Sequence, residues 1–202
     1  MIRTTLRHSF YAALGLIVVL MAANSQAADT YKIDPAHSAA TFAVRHMVIS
    51  TVRGSIPAVT GTIVLDTEEP SACSVHAVLD PASIDTDNKT RDADLKSANF
   101  LDVDKFPKLE FVSTRVEHGK DGWVAYGKLT LHGVTKEIAL SFDLSGPVKD
   151  PWGNTRIGVG TSPIKLDRKD YGLSYNKTLD SGGLVVGDEV TITISVEATK
   201  TK

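Results

Sequence analysis

From Tyr31 onward, apolar and polar side chains alternate with a period of two over most of the chain, the pattern of strands with one face on a core. Tyr31-Lys32-Ile33-Asp34 opens the series and Pro35 breaks it. Ala40 to His46 puts Phe42 and Val44 on one face and Thr41, Ala43 and Arg45 on the other. Thr60 to Asp66 groups Ile63 with Leu65, and Ser74 to Asp80 groups Val75, Ala77 and Leu79; the turn Glu68-Glu69-Pro70-Ser71 between them predicts a hairpin. Lys108 to Val116 and Gly122 to His132 form a second pair, followed by Glu137 to Leu144 with Ile138, Leu140, Phe142 and Leu144 in step. After a loop carrying Trp152 come the glycine-interrupted run Arg156 to Leu166, a long polar connection Asp167 to Val186, and a last strand, Glu189 to Glu197. The pattern predicts about eight strands of roughly seven to eleven residues joined mostly by short turns.

One stretch departs from this period. Asp85 to Pro107 reads as a helix of about ten residues, with Asp87 as its N-cap and Asp92 four residues before Lys96. So short a helix needs support from its surroundings, and Leu95, Phe100, Leu101 and Phe106 are the apolar groups that supply it. A small helix held between strands suits the end of a barrel. Antiparallel strands with one apolar face also fit a two-layer sandwich, and periodicity does not choose between the two.

Residues 1–27 stand apart. Arg3, Arg7 and His8 give a basic start, Tyr11 to Ala23 is an apolar run, and Ser25-Gln26-Ala27 suits cleavage after Ala27. Thirteen apolar residues fall short of the roughly 20 that span a bilayer. The expectation is a cleavable signal peptide over 1–27 and one exported domain over 28–202. The leader carries two of the 22 basic residues and none of the 24 acidic ones, leaving the domain at −4. That balance offers nothing to nucleic acid or to an anionic membrane surface. Cys73 is the single cysteine, so no intrachain disulfide forms, and it reads as a small strand residue.

Several segments carry a family resemblance. Tyr31-Lys32-Ile33-Asp34-Pro35-Ala36-His37-Ser38, Phe42-Ala43-Val44-Arg45-His46-Met47, Ser50-Thr51-Val52-Arg53-Gly54 and Arg91-Asp92-Ala93-Asp94-Leu95-Lys96-Ser97-Ala98-Asn99-Phe100-Leu101-Asp102 are four of them. Gly127-Lys128-Leu129-Thr130-Leu131-His132-Gly133-Val134-Thr135-Lys136 and Gly187-Asp188-Glu189-Val190 complete the set. Together they resemble the YceI-like family of exported bacterial proteins. Asp94 and Val59 depart from it, where many relatives have histidine and an aromatic. The resemblance implies an all-β, eight-stranded antiparallel lipocalin-like barrel with a short helix at one end, holding a polyisoprenoid or similar long-chain lipid. It also implies a periplasmic location and a homodimer. Each buried methylene contributes about 0.8 kcal/mol, so one isoprene unit offers roughly 3–4 kcal/mol gross, against about 1–3 kcal/mol for a head-group contact. The tail would dominate affinity.

Candidate lining residues are Phe42, Val44, Leu65, Leu79, Phe111, Phe142, Leu144, Ile164 and Ile192, with Phe100 and Phe106 beside the helix; the competing reading is an ordinary filled core. His37, Arg45, His46, Arg91, Asp170 and Tyr171 are candidates for a head group at the mouth. Asp167, Arg168, Asp170 and Tyr171 read as a solvated polar cluster. His37, His46, His76, His118 and His132 lack metal-ligand spacing, so no metal site is expected. No Gly-x-Ser-x-Gly, His-Glu-x-x-His or Walker-type loop occurs, and Asp92 and Asp94 point to different sides of their helix. The sequence therefore reads as a lipid-binding protein without catalytic residues or cofactor. A barrel-based enzyme and a ligand-free interaction protein are the alternatives. A membrane or a quinone-handling protein would be the donor or acceptor of the isoprenoid or isoprenoid quinone.

Overall fold

The computed structural model describes residues 28–201 apart from Ser181, so the expected signal peptide lies outside the described residues. The described strands are β1 (Asp29–Ile33), β2 (Ala39–His46), β3 (Ser50–Ile56), β4 (Val59–Leu65), β5 (Ser74–Leu79) and β6 (Leu109–Gly119). They continue with β7 (Gly122–Leu131), β8 (Val134–Lys149), β9 (Thr155–Thr161), β10 (Ile164–Asp167) and β11 (Val186–Lys200). All pair antiparallel. β1, β4, β5, β6, β7, β8, β9 and β11 follow one another, and β1 returns to β11, closing a ring of eight. The fold is the expected barrel.

Eleven strands build eight walls because three walls are each cut in two. β1 and β2 lie end to end along β11, Tyr31 opposite Lys200 and Phe42 opposite Ile192. β9 and β10 do the same on its other side, with Val159 opposite Val196 and Ile164 opposite Ile192. β3 and β4 run beside β2 and β1 in the same manner. Pro35, Pro57 and Pro163 stand in the three breaks, where a residue without an N–H interrupts the ladder. β3 lies in a stretch for which the alternation predicted no strand. Its inward positions are Val52, Gly54 and Ile56, and a Cβ on Gly54 would stand 2.6 Å from the Phe42 ring. The missing side chain that Phe42 requires is what blurs the pattern.

The two ends of the barrel differ. At the lower end, where β11 finishes, Tyr31, Ile157 and Ala198 are 2%, 1% and 0% exposed and fill the interior. At the upper end β5 stops, and the wall continues through a bridge from Ser55 to Asp85 and the helix α1 (Lys89–Lys96). Asn88, not Asp87, caps this helix: its side chain accepts from the Arg91 N–H, while Asp87 sits at φ 58°. Asp92 does not serve Lys96 either. Its Oδ1 accepts from the Thr86 N–H (2.9 Å) and hydroxyl (2.6 Å), tying the helix to the chain that enters it. Leu95 and Leu101 pack on the main core.

Candidate functional site: an apolar tube through the barrel

The inward face of every wall leads to one cavity of about 270 Å³, close to the lower bound of roughly 300 Å³ for small-molecule sites. It is lined on β11 at every second residue from Val190 to Val196, and by Val186 above them. From Val186 to Val196 the strand rises about 30 Å, so the space is long and narrow. Gly127 sets its bore on one side: a Cβ there would stand 2.6 Å from the ring of Phe111. A register shift between Ser113 and Arg115 on β6 then returns Val116 to the interior.

Phe42, Val44, Leu65, Leu79, Phe100, Phe111, Phe142, Leu144, Ile164 and Ile192 all face this cavity. Phe106 does not. It lies outside, its ring 4.5 Å from that of His132 and close against Gly133. The lining is otherwise apolar except for Thr41, Thr161, Cys73, Arg168 and Tyr171. Cys73 stands near the lower end, buried, its Sγ 3.2 Å from both the N and O of Asp66. Burial raises the pKa of its thiol. Trp123 stacks on Phe142 at 5.9 Å in the same region. Whereas Leu65, Cys73 and Trp123 are buried, Val44, Phe100, Val186 and Val190 are half-exposed, which places the opening at the upper end between β2, α1 and β11.

Arg168 and Tyr171 correct the expectation of a solvated polar cluster. They are 4% and 2% exposed. The Arg168 guanidinium donates to the carbonyls of Gly187 (3.0 Å), Tyr175 (3.0 Å), Val186 (3.4 Å) and Leu173, and to Asp188 Oδ1 (3.2 Å). One side chain thus gathers both ends of the 173–188 segment over the upper rim. Sequence reasoning missed it because a basic residue in the polar run Asp167-Arg168-Lys169-Asp170 looks hydrated; the glycine and aromatic that follow are the only hint of a packed turn. Burial, with Asp170 second, raises the pKa of the Tyr171 phenol.

The other mouth candidates are engaged elsewhere. Asp170 is exposed and pairs with Lys136 at 3.0 Å. Arg91 donates to Thr86 through Nε (2.8 Å to Oγ1) and Nη2 (2.7 Å to the carbonyl). Arg45 is exposed on the outer face of β2 and donates to Thr51 and to the Val48 carbonyl. His46 ends β2 opposite Val186, beside the opening but outside its lining. His37 lies away from the opening, in the turn between β1 and β2, with Nδ1 3.0 Å from Asp34 Oδ2.

Asp34, His37 and Glu197 form the one metal-like grouping among the described residues. A cation already sits there: Arg156 Nη1 donates to Asp34 (2.9 Å) and Glu197 (2.5 Å), and its Nε to Asp150 (2.9 Å). The bond to His37, then that to Arg156, lowers the pKa of Asp34 to about 2, and Asn154 and Arg156 lower that of Asp150 to about 2. His76 bonds Glu110 at 2.9 Å and His118 stacks on Trp123 at 4.2 Å. None of these groups faces the cavity with a partner for proton transfer.

A model of the YceI-like domain matches residues 31–198. The chain belongs to the YceI-like family. A UPF0312 protein of Yersinia enterocolitica is 38% identical over 194 residues, covering 94% of this YceI-like chain and 97% of its own. The YCEI protein of Campylobacter jejuni is 26% identical, with a TM-score of 0.64 over 78% of this chain and 90% of its own. A polyisoprenoid binding domain from Saccharophagus degradans implicated in plant cell wall breakdown has a TM-score of 0.66 at 16% identity, over 85% and 98% of the two chains. At that identity the likeness is one of fold.

Proposed function

We propose that this YceI-like protein is a non-enzymatic carrier or store for one long-chain lipid, a polyisoprenoid or isoprenoid quinone, in the periplasm. The supporting observation is the shape of the interior: a continuous apolar tube with a filled floor and an opening at one end. A filled, inert barrel would leave no cavity for Phe42, Phe111 and Phe142 to line together. The tail enters from the upper rim and the head group stays near Arg168, Tyr171 and Val186. Because the tube offers methylene contacts along its whole length and few polar ones, affinity grows with chain length and responds weakly to the head group. The structural likeness to a domain that binds polyisoprenoids agrees with this reading.

Extraction of the purified protein into organic solvent, followed by mass spectrometry, tests it. The expected result is a prenyl-chain lipid at close to one per chain, exchangeable for an added long-chain prenol. A protein that is empty as isolated and takes up no added prenol or fatty chain would overturn the proposal.

A further inference from the structure

Four phenylalanines line the tube: Phe42, Phe100, Phe111 and Phe142. Phe42, Phe111 and Phe142 belong to the main hydrophobic cluster of the barrel, whereas Phe100 belongs to neither cluster of the described residues. Phe100 is half-exposed at the opening, in the turn that follows α1, where its N–H bonds the Ser97 carbonyl at 3.0 Å. A ring on a fixed backbone, without a core packed around it, is held by its rotamer preference and by whatever touches it.

What touches it is Tyr175. The two ring centroids are 5.2 Å apart and the rings meet edge to face at 64°, a favoured aromatic geometry. Tyr175 does not line the cavity, so it bears on a guest only through Phe100. Its own backbone is locked. The Tyr175 carbonyl accepts from Arg168 Nη1 at 3.0 Å. The next side chain, Asn176, bonds both the N–H (3.0 Å) and the carbonyl (2.6 Å) of Val186 at the start of β11. A fixed ring therefore stops a movable one at the mouth.

We infer that Phe100 is a gate on the tube and that Tyr175 is the positioning residue that holds it shut, so the pair sets how fast the lipid exchanges and not how tightly it binds. The inference rests on the carrier reading and names the residues that govern traffic through the same opening. Because Tyr175 touches no guest, losing its ring lowers the barrier between the empty and the filled protein without favouring either. Entry and exit then accelerate by one factor. The contribution of an aromatic pair corresponds to about two- to tenfold in the ratio of closed to open gate.

The test compares wild type with Tyr175→Ala and Tyr175→Phe, with geranylgeraniol as the guest. Uptake is followed by the fluorescence of Trp123, which lines the tube, in a Trp152→Phe background that removes the exposed tryptophan. Release is followed by chasing radiolabelled geranylgeraniol with unlabelled. Tyr175→Ala should raise both rate constants about fivefold and leave Kd unchanged. Tyr175→Phe, which keeps the ring, should match wild type. Unchanged rates in Tyr175→Ala would overturn the gate. So would faster release with a proportionally weaker Kd, which would make Tyr175 part of the binding surface. Tyr175 is half-exposed, so the alanine variant is expected to melt with the wild type. If it melts lower, Tyr175→Leu, which keeps bulk and loses the edge contact, is judged by the same two results. No uptake by any of these proteins would sink the carrier reading and the gate with it, whereas uptake at unaltered rates sinks the gate alone.

Discussion

Arg168 donates to Asp188 at 3.2 Å across the upper rim of the tube, and the same guanidinium binds four backbone carbonyls of the 173–188 segment. No other residue type brings five donors in a fixed fork. Arg168→Leu leaves several buried carbonyls without donors and should cost about 3 kcal/mol. Arg168→Lys, with its charge kept and its fork lost, should recover less than half of that. Urea denaturation of the three proteins measures both. A Lys variant as stable as wild type would show that charge, not geometry, holds the rim.

Phe142 is part-buried, stacks on Trp123 and faces the cavity. Phe142→Ala should widen the tube at a cost of about 2–3 kcal/mol, below a fully buried phenylalanine because one face meets empty space. Mass spectrometry of the extract should show a bulkier guest accepted or the native one held less tightly. Unchanged lipid content in the folded variant would remove Phe142 from the binding surface.

Gly54 separates Phe42 from the segment that leads into α1. A Cβ there would stand 2.6 Å from both Phe42 and Thr86 and 2.8 Å from the Asp85 carbonyl. Gly54→Ala should therefore destabilise by about 1–3 kcal/mol and loosen the Ser55–Asp85 bridge. Hydrogen exchange at Ser55 and Asp85, whose amides bond each other's carbonyls at 2.8 and 2.9 Å, reads the effect locally.

Asp34 and Asp150 titrate near 2 in the folded chain, against an ordinary value of 3.8. Carboxyls with lowered pKa stabilise the fold fully above their unfolded value, and the contribution fades as pH falls toward the folded one. The stability difference between wild type and Arg156→Gln should thus be constant above about pH 5 and shrink toward about pH 2. Urea midpoints at the two ends of that range check it. A difference independent of pH would mean that Arg156 acts through packing alone.

Strand pairing was legible where one face of a wall is uniformly apolar, as in β8 with Ile138, Leu140, Phe142 and Leu144. The walls cut by Pro35, Pro57 and Pro163 were harder, since each break looks like the end of a strand although the ladder resumes beyond it. Most of the lining follows from alternation once inside and outside are known. The rim does not. Arg168 reads as hydrated from its neighbours, and its burial depends on carbonyls five to nineteen positions away. Phe106 misleads in the opposite direction, since an aromatic near the helix finds its place against Gly133, outside the wall. Met47, Val48 and Ile49, exposed in the turn between β2 and β3, run against their apolar character, and only coordinates show it.

Cys73, the sole sulfhydryl, sits at the far end of the tube from the opening. A guest that stops halfway leaves it within reach of a small alkylating reagent, and one that fills the bore shields it. Labelling kinetics across prenols of increasing length would therefore turn this side chain into a depth gauge, and the length at which alkylation stalls would measure how much tail the barrel is built to swallow.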